Sequence, residues 1–316
     1  MINSASNRNE KKTSLVKMPT FYLLFTLFIV VNFSYGQQYV DLVKIDYDLG
    51  LSQAFTDSAK NAQFSELAVD AIVPIVLNKK VAILTGALLE KTDFSVSPTS
   101  PDVSVYGLML KAGVNIKHND KWSGTYLLLP KLSSDLKKIS QKDFQFGGIA
   151  FIKYAPKPTF NYRFGFYANS DLFGPMLVPI VGIYLLKNRW EINCSLPINA
   201  DVSYQLIPNL KLGARFQGIN KSYLIHHGKE QYVEKVNNEI GLYSSYAIGK
   251  FHFQILAGYA LGRSFRVYDT PDRLGLALSA IKFNNNRIPL NPTFSDGFVL
   301  KAGLTFRIPT NTPSND

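Results

Sequence analysis

The sequence predicts an all-β protein, an antiparallel up-and-down transmembrane β-barrel of about 12–14 strands. Three observations predict it. Apolar and polar residues alternate with a period of two along most of the chain, which puts them on opposite faces of pleated strands. The strand-like segments are joined by connections that are short and long in turn, like the two rims of a membrane barrel. An export signal precedes them.

The alternation is cleanest from Trp190 to Tyr204. Trp190, Ile192, Cys194, Leu196 and Ile198 fall on one face, and Glu191, Asn193, Ser195, Asn199 and Asp201 on the other. The first strand sets Val43, Ile45, Tyr47, Leu49 and Leu51 against Lys44, Asp46, Asp48, Gly50 and Ser52. The last sets Phe298, Leu300, Ala302, Leu304, Phe306 and Ile308 against Val299, Lys301, Gly303, Thr305 and Arg307. Between them, strands are expected at 62–77, 80–96, 103–117, 121–133, 143–154, 159–169, 176–187, 210–225, 236–248 and 251–267. Polar loops are expected at 226–235 and 268–293. If 190–204 is one strand, the short and long connections fall out of step after it. A turn at Pro197-Ile198 restores the order and raises the count to the top of the range, but each half is then shorter than the 9–11 residues a spanning strand uses.

Residues 1–36 read as a signal peptide, and 37–316 as the barrel domain. Lys11, Lys12 and Lys17 supply the basic region, Phe21–Val31 the apolar core, and Ser34 and Gly36 the small residues before a cleavage site between Gly36 and Gln37. That core is too short for a comfortable helical span, and no other apolar run in the 316 residues approaches the length of about 20 that one needs. Mean hydropathy is +0.00. The 17 Tyr and 22 Phe favour strands and interfacial aromatic girdles. A soluble β-sandwich is the alternative fold, its two apolar faces meeting in a core.

The net charge is +11, and +8 without residues 1–36. The basic residues are scattered among strands and turns without a cluster, which speaks against nucleic acid as a partner. Cys194 is the single cysteine, so no internal disulfide forms. His226-His227 with Glu230 lacks the spacing of a metal site. His252 lies beside the Gly249-Lys250 turn, at the wrong rim for an outer-leaflet hydrolase, and no glycine-rich phosphate loop or cofactor motif is present. Gly258, Gly262 and Gly275 read as relief of crowding at strand bends. The chain therefore reads as a non-enzyme without a cofactor.

What remains are charges that alternation directs into the lumen: Lys44, Asp46, Asp48, Arg163, Asp201, Lys211, Arg215, Lys301 and Arg307. Six are basic and three acidic, so a passage they line is expected to prefer anions weakly. Barrels of about 8 strands are filled by side chains and those of about 16–18 are open pores, so 12–14 implies an intermediate lumen.

Trp190…Leu196-Pro197…Tyr204, Gly262-Arg263-Ser264 and the ending Gly303-Leu304-Thr305-Phe306-Arg307 resemble an outer-membrane β-barrel family of Gram-negative bacteria whose function is unknown. The resemblance spans nearly all of 39–308. It implies the fold, an outer-membrane location among lipid and lipopolysaccharide, and insertion by the barrel-assembly machinery. It implies no catalytic residues. One departure is that Pro309–Asp316 follow the terminal aromatic strand. The functions to be weighed are a narrow passage for a small solute, a plugged structural or interaction barrel working through its outer loops, and an outer-membrane enzyme. For the signal peptide, the mature protein in the membrane fraction should begin at Gln37. N-terminal mass analysis checks this, and an intact Phe21–Val31 segment would refute it.

Overall fold

The computed structural model describes residues 39–309 apart from 56, 57 and 59. The signal segment and the Gly36–Gln37 bond lie outside the described residues. The strands are β1 (Tyr39–Ala54), β2 (Asn61–Val76), β3 (Val81–Phe94), β4 (Val103–Lys117), β5 (Trp122–Ser134), β6 (Phe144–Lys157), β7 (Phe160–Asp171) and β8 (Gly174–Lys187). They continue with β9 (Trp190–Leu196), β10 (Asn199–Ile207), β11 (Leu210–His227), β12 (Lys229–Ile248), β13 (Phe251–Asp269), β14 (Leu276–Leu278), β15 (Ile281–Phe283) and β16 (Gly297–Pro309). β14 and β15 form a small hairpin within the last long loop. The other 14 pair antiparallel with their neighbours, and β1 pairs with β16 to close the ring.

The closed ring sorts side chains by face, and the sorting is the reverse of a soluble protein's. Leu128, Phe146, Val181, Leu242, Ile255 and Phe298, from six strands around the circumference, are all at least 60 % exposed. Their lumenal neighbours include Lys131, Gln145, Glu239 and Val299, all buried. A soluble monomer does not expose a continuous apolar belt of this extent, whereas lipid requires one. Aromatic pairs sit beside the short turns: Trp122 with Tyr154 at 4.6 Å, Trp190 with Tyr204 at 5.0 Å and Phe251 with Phe306 at 5.2 Å between ring centroids. Amphipathic rings at one rim mark an interfacial girdle. The sandwich alternative fails because there is one closed ring rather than two facing sheets.

Of the two readings of 190–204, the structure takes the turn, and the segment is two strands. The chain reverses at Pro197-Ile198, with Ile198 N–H donating to the Ser195 carbonyl at 3.0 Å. Cys194 pairs with Ala200 and Trp190 with Tyr204. The two halves can be short because another segment completes the wall above them. β9 reaches only Val181 of β8, and β14 pairs in parallel with Met176 and Leu177 above that point. Ile198 also departs from the expected face. At the turn it points inward and packs against a lumenal cluster with Phe173, Tyr232 and Leu274.

The polar loop expected at 226–235 is corrected. β11 and β12 continue to His227 and Lys229, leaving Gly228 between them at φ +78°. Successive residues there, Tyr223, Leu224 and Ile225 on β11 and Tyr232, Val233 and Glu234 on β12, are all buried, so the period-two signal fades although the strands do not end. Two irregularities also shift the alternation. A bulge between Asp41 and Val43 brings Asp41 to the same face as Lys44. Gly262, at φ +63°, sits opposite a register shift at Val236/Asn238 and turns Arg263 inward. Gly258 serves close approach instead, since a Cβ there would lie 2.4 Å from the Ile240 carbonyl oxygen.

Cys194 lies on the face of exposed Trp190 and Leu196, while neighbouring Glu191 is buried in the lumen. A charged maleimide should therefore label the folded protein in membranes poorly and urea-unfolded protein well. Fast labelling of the folded form would place this face in the lumen.

Candidate functional site: a charged chamber between two cross-lumen links

Inside the ring is a cavity of about 410 Å³. It runs from Tyr39, Arg307 and His252 near the short-turn rim up to Glu66, Glu90 and Lys221. Eight of the nine charges that alternation directs inward line it: Lys44, Asp46, Asp48, Asp201, Lys211, Arg215, Lys301 and Arg307. Arg163 also points inward but lies aside, donating to Asn193 Oδ1 at 2.9 Å and Asn161 Oδ1 at 3.1 Å.

Alternation missed the acids that balance this set. Asp41, Glu66, Asp70, Glu90 and Glu191 also line the cavity, which brings its carboxylates to eight against six Lys and Arg side chains. The expected basic excess is therefore corrected. Asp41 was hidden by the bulge. Glu66 and Asp70 share the inner face of β2 with Ala62, Phe64 and Ala68, where mixed polarity erases the pattern. Glu191 was visible in the sequence as an odd-numbered residue of β9, and the same parity that marks Asp201 could have found it.

Most of these charges are paired. Arg307 donates to Asp41 at 2.5 Å, Lys211 to Glu191 at 2.6 Å, Arg215 to Asp201 at 2.7 Å and Lys301 to Asp48 at 2.9 Å. Lys111 pairs with Asp70, Lys221 with Glu90, Lys235 with Glu66 and Arg263 with Glu239. In a medium of low dielectric an ion must be neutralised locally or lose several kcal/mol of solvation. Asp46 forms no ion pair among the described residues.

Two sets of contacts cross the barrel above and below the chamber. Below, the Tyr39 hydroxyl on β1 donates to Glu191 Oε1 on β9 at 2.6 Å. Five strands separate these two around the ring by the shorter way. The Arg307 guanidinium lies 3.5 Å from the Tyr39 ring centroid and Lys211 holds the other Glu191 oxygen, so the crossing phenol is fixed on both sides.

Above, the end of β11 folds inward and meets the opposite wall. Asp135, just after β5, donates its N–H to the Leu224 carbonyl at 2.9 Å and accepts the His226 N–H at 2.8 Å. Gln145 on β6 donates to the Ser222 carbonyl at 3.1 Å, and Ser222 Oγ donates to Asp171 on β7 at 3.0 Å. Apolar side chains complete the seal: Phe64, Phe94 and Val105 from β2, β3 and β4 meet Tyr223, Ile225 and Phe265 from β11 and β13. Phe94 stacks on Phe265 with centroids 4.4 Å apart. The buried Tyr223 hydroxyl donates to Glu90, so the seal also forms part of the chamber's ceiling.

A profile for a domain of unknown function, DUF6268, matches residues 98–306, from the connection before β4 into β16. The chain belongs to the DUF6268 family. Among curated proteins none matches the chain. Among solved structures, the DUF6268 barrel is similar to an outer membrane channel from Pseudomonas putida F1, at 9 % identity and TM-score 0.45, over 89 % of this chain and 100 % of that one. It is similar to the Pseudomonas putida toluene transporter TodX at 9 % identity and TM-score 0.35, over 84 % and 90 % of the two chains. To the NanC porin it is similar at 12 % identity and TM-score 0.34, over 84 % and 100 %.

His226 of the DUF6268 barrel takes a structural position. His226 Nδ1 lies 3.0 Å from Asp135 Oδ1, and Glu230 pairs with Lys142 at 2.5 Å. Burial pushes the Asp135 carboxyl up, but hydrogen bonds from the His226 ring and N–H and from the Lys137 N–H outweigh it and hold the group below its usual range. A depressed carboxylate stabilises the closed state above its ordinary pKa, and that contribution is lost as pH falls through the lower value. The Asp135 contribution to the seal should thus persist at neutral pH and disappear below about pH 4, read as faster amide exchange at Leu224 and His226. An Asp135→Asn variant that keeps the wild-type acid step in exchange at Leu224 and His226 would refute the assignment.

Pairing also predicts unequal costs. Lys235→Met leaves Glu66 buried and uncompensated and should lower the unfolding free energy by about 3–5 kcal/mol. Asp46→Asn should change it by less than about 0.5 kcal/mol. Urea midpoints of folded barrel in detergent check both.

Proposed function

We propose that this DUF6268 barrel is a gated outer-membrane passage for a small polar solute, not a catalyst. The observation that carries the reading is a polar, charge-lined chamber bounded by discrete cross-lumen contacts rather than filled by side chains. On this reading the short turns face the periplasm and the long loops the exterior. The β11–β12 hairpin is the outer gate, and the Tyr39–Glu191 link is an inner constriction. Lipid and lipopolysaccharide surround the belt, and the barrel-assembly machinery inserts it.

On this reading the hairpin tip, turning on Gly228, takes a second, open arrangement. Opening it would part Asp135 from Leu224 and His226 and withdraw Tyr223 and Ile225 from the opposite wall. A plugged interaction barrel is the second reading, favoured by the same seal if it never opens. Exposed apolar residues on the last long loop, Ile281, Phe283 and Ile288, would then be the working surface.

Purified protein in a planar bilayer tests the choice. Wild type is expected to show low or intermittent conductance, and Asp135→Ala with His226→Ala should raise the open fraction. With Asp46 the chamber carboxylate left without an ion pair among the described residues, reversal potentials in a KCl gradient should show a weak cation preference. It should fade as salt shortens the Debye length to about 3 Å at 1 M. No conductance in either protein refutes the passage and leaves the plugged barrel.

A further inference from the structure

The two rims of the barrel carry charge differently. At the long loops both signs occur and meet: Lys142 with Glu230 at 2.5 Å, Lys229 with Asp269 at 2.8 Å and Arg287 with Glu234 at 3.0 Å. At the short turns the charge is almost all of one sign. Lys79 and Lys80 lie in the β2–β3 turn, Lys121 in the β4–β5 turn and Lys157 at the end of β6. Lys187 and Arg189 flank Asn188 between β8 and β9, and Lys250 lies between β12 and β13. All seven are exposed. None of them forms an ion pair among the described residues. The one carboxylate in these turns, Asp120, is held by Lys117 at 3.0 Å.

In the amino-acid order these cations are scattered. Hairpin topology gathers them, because every second connection returns to the same rim. Five of the six short turns carry or adjoin at least one, the exception being Pro208-Asn209 between β10 and β11. They therefore surround the circumference and do not fall in one sector. Their depth is also defined. Lys121 precedes Trp122, Arg189 precedes Trp190 and Lys250 precedes Phe251, the exposed members of the three girdle pairs. Lys187 stands opposite Trp190 in the β8–β9 ladder, and Lys79 follows exposed Leu77. Tryptophan rings settle at headgroup level, and the flexible stems of Lys and Arg carry their charge on into the polar layer.

Like charges spaced around a rim repel one another and call for counter-charge from outside. A protein docked end-on over the mouth would meet the turns and leave the girdle beside them unused. A leaflet with anionic headgroups meets both. It surrounds the whole circumference, its acyl boundary takes the aromatic rings, and its phosphates take the cations.

We propose that the short-turn rim is a binding surface for anionic phospholipid headgroups, which it gathers around the barrel in preference to zwitterionic ones. In the orientation given above, this is the periplasmic leaflet. A barrel that never opens has the same rim, so this binding does not depend on conduction.

The two tryptophans of the chain, Trp122 and Trp190, both lie at this rim, so their fluorescence reports the adjoining lipid. Full-length mature barrel is reconstituted at low salt in phosphatidylcholine vesicles. These contain, at equal mole fraction, acyl-brominated phosphatidylglycerol or acyl-brominated phosphatidylcholine. Bromine quenches indole on contact, so relative quenching gives relative occupancy. Phosphatidylglycerol should be favoured about fivefold, equivalent to about 1 kcal/mol. The preference should shrink towards unity at 1 M salt, where the Debye length is about 3 Å. Lys121→Gln with Arg189→Gln should lower it below about twofold. Lys60→Gln with Lys138→Gln, exposed at the opposite rim, should leave it unchanged. Equal quenching by the two lipids, a preference that survives 1 M salt, or equal effects of the two double variants overturns the proposal. The salt series uses the wild type alone, so it decides the matter even if a variant does not fold.

Discussion

Backbone hydrogen bonding in an apolar surround is the constraint on which the rest of this structure depends. Lipid offers no partner to an exposed N–H or C=O, so a sheet can cross a membrane only if it has no edge. Pairing of β1 with β16, from Tyr39 opposite Pro309 to Leu51 opposite Phe298, removes the edge that chain order would leave. Closure then fixes everything else about the faces. One side of each strand meets lipid and becomes the belt of Leu128, Leu242 and Ile255, and the other meets the lumen. The short β9–β10 hairpin threatens the constraint locally, because the upper edge of β8 lies beyond its reach. The Leu276–Leu278 strand answers it, with Ser279 N–H donating to the Leu177 carbonyl at 2.9 Å above the hairpin.

The same closure confines charge. Carboxylates and ammonium groups directed inward from different strands share a narrow space bounded by a sheet and, beyond it, lipid. Neutralisation there is local, and the partner is often on another strand: Arg215 on β11 with Asp201 on β10, Lys301 on β16 with Asp48 on β1. Each pair cross-links the wall, so the lower barrel is stiff. The pairs hold acid and base together across strand boundaries, and Asp46 is the chamber carboxylate left without an ion pair among the described residues.

The upper barrel follows a different rule. Above the chamber the lumen is occupied by Phe64, Phe94, Tyr223 and Phe265, an apolar core inside a polar-lined tube. It exists because β11, β12 and β13 are longer than their partners need and curl inward over the mouth. Glu90 joins the two regions: it accepts from Tyr223 in the seal and pairs with Lys221 at the chamber's top. Movement of the hairpin would therefore change the chamber's ceiling through one carboxylate.

Much of this was legible in the amino-acid order. Period-two alternation marks the strands from Val43 to Arg307 because each strand separates lipid from lumen, and a local pattern suffices to report a local environment. The choice between one and two strands at Trp190–Tyr204 was already posed by the rhythm of connections, though strand length argued the other way. What the sequence could not decide is what long-range closure decides. Asp41 reaches the lumen through a bulge whose cause is the register with β16. Glu66 and Glu90 are chamber residues only because β2 and β3 stand opposite β11. Tyr223 and Ile225 seal the mouth only because a strand ring brings β4 and β5 across from them. Alternation tells which way a side chain points. Only the closed ring decides what it points at, because its partner lies on a strand far away in the chain.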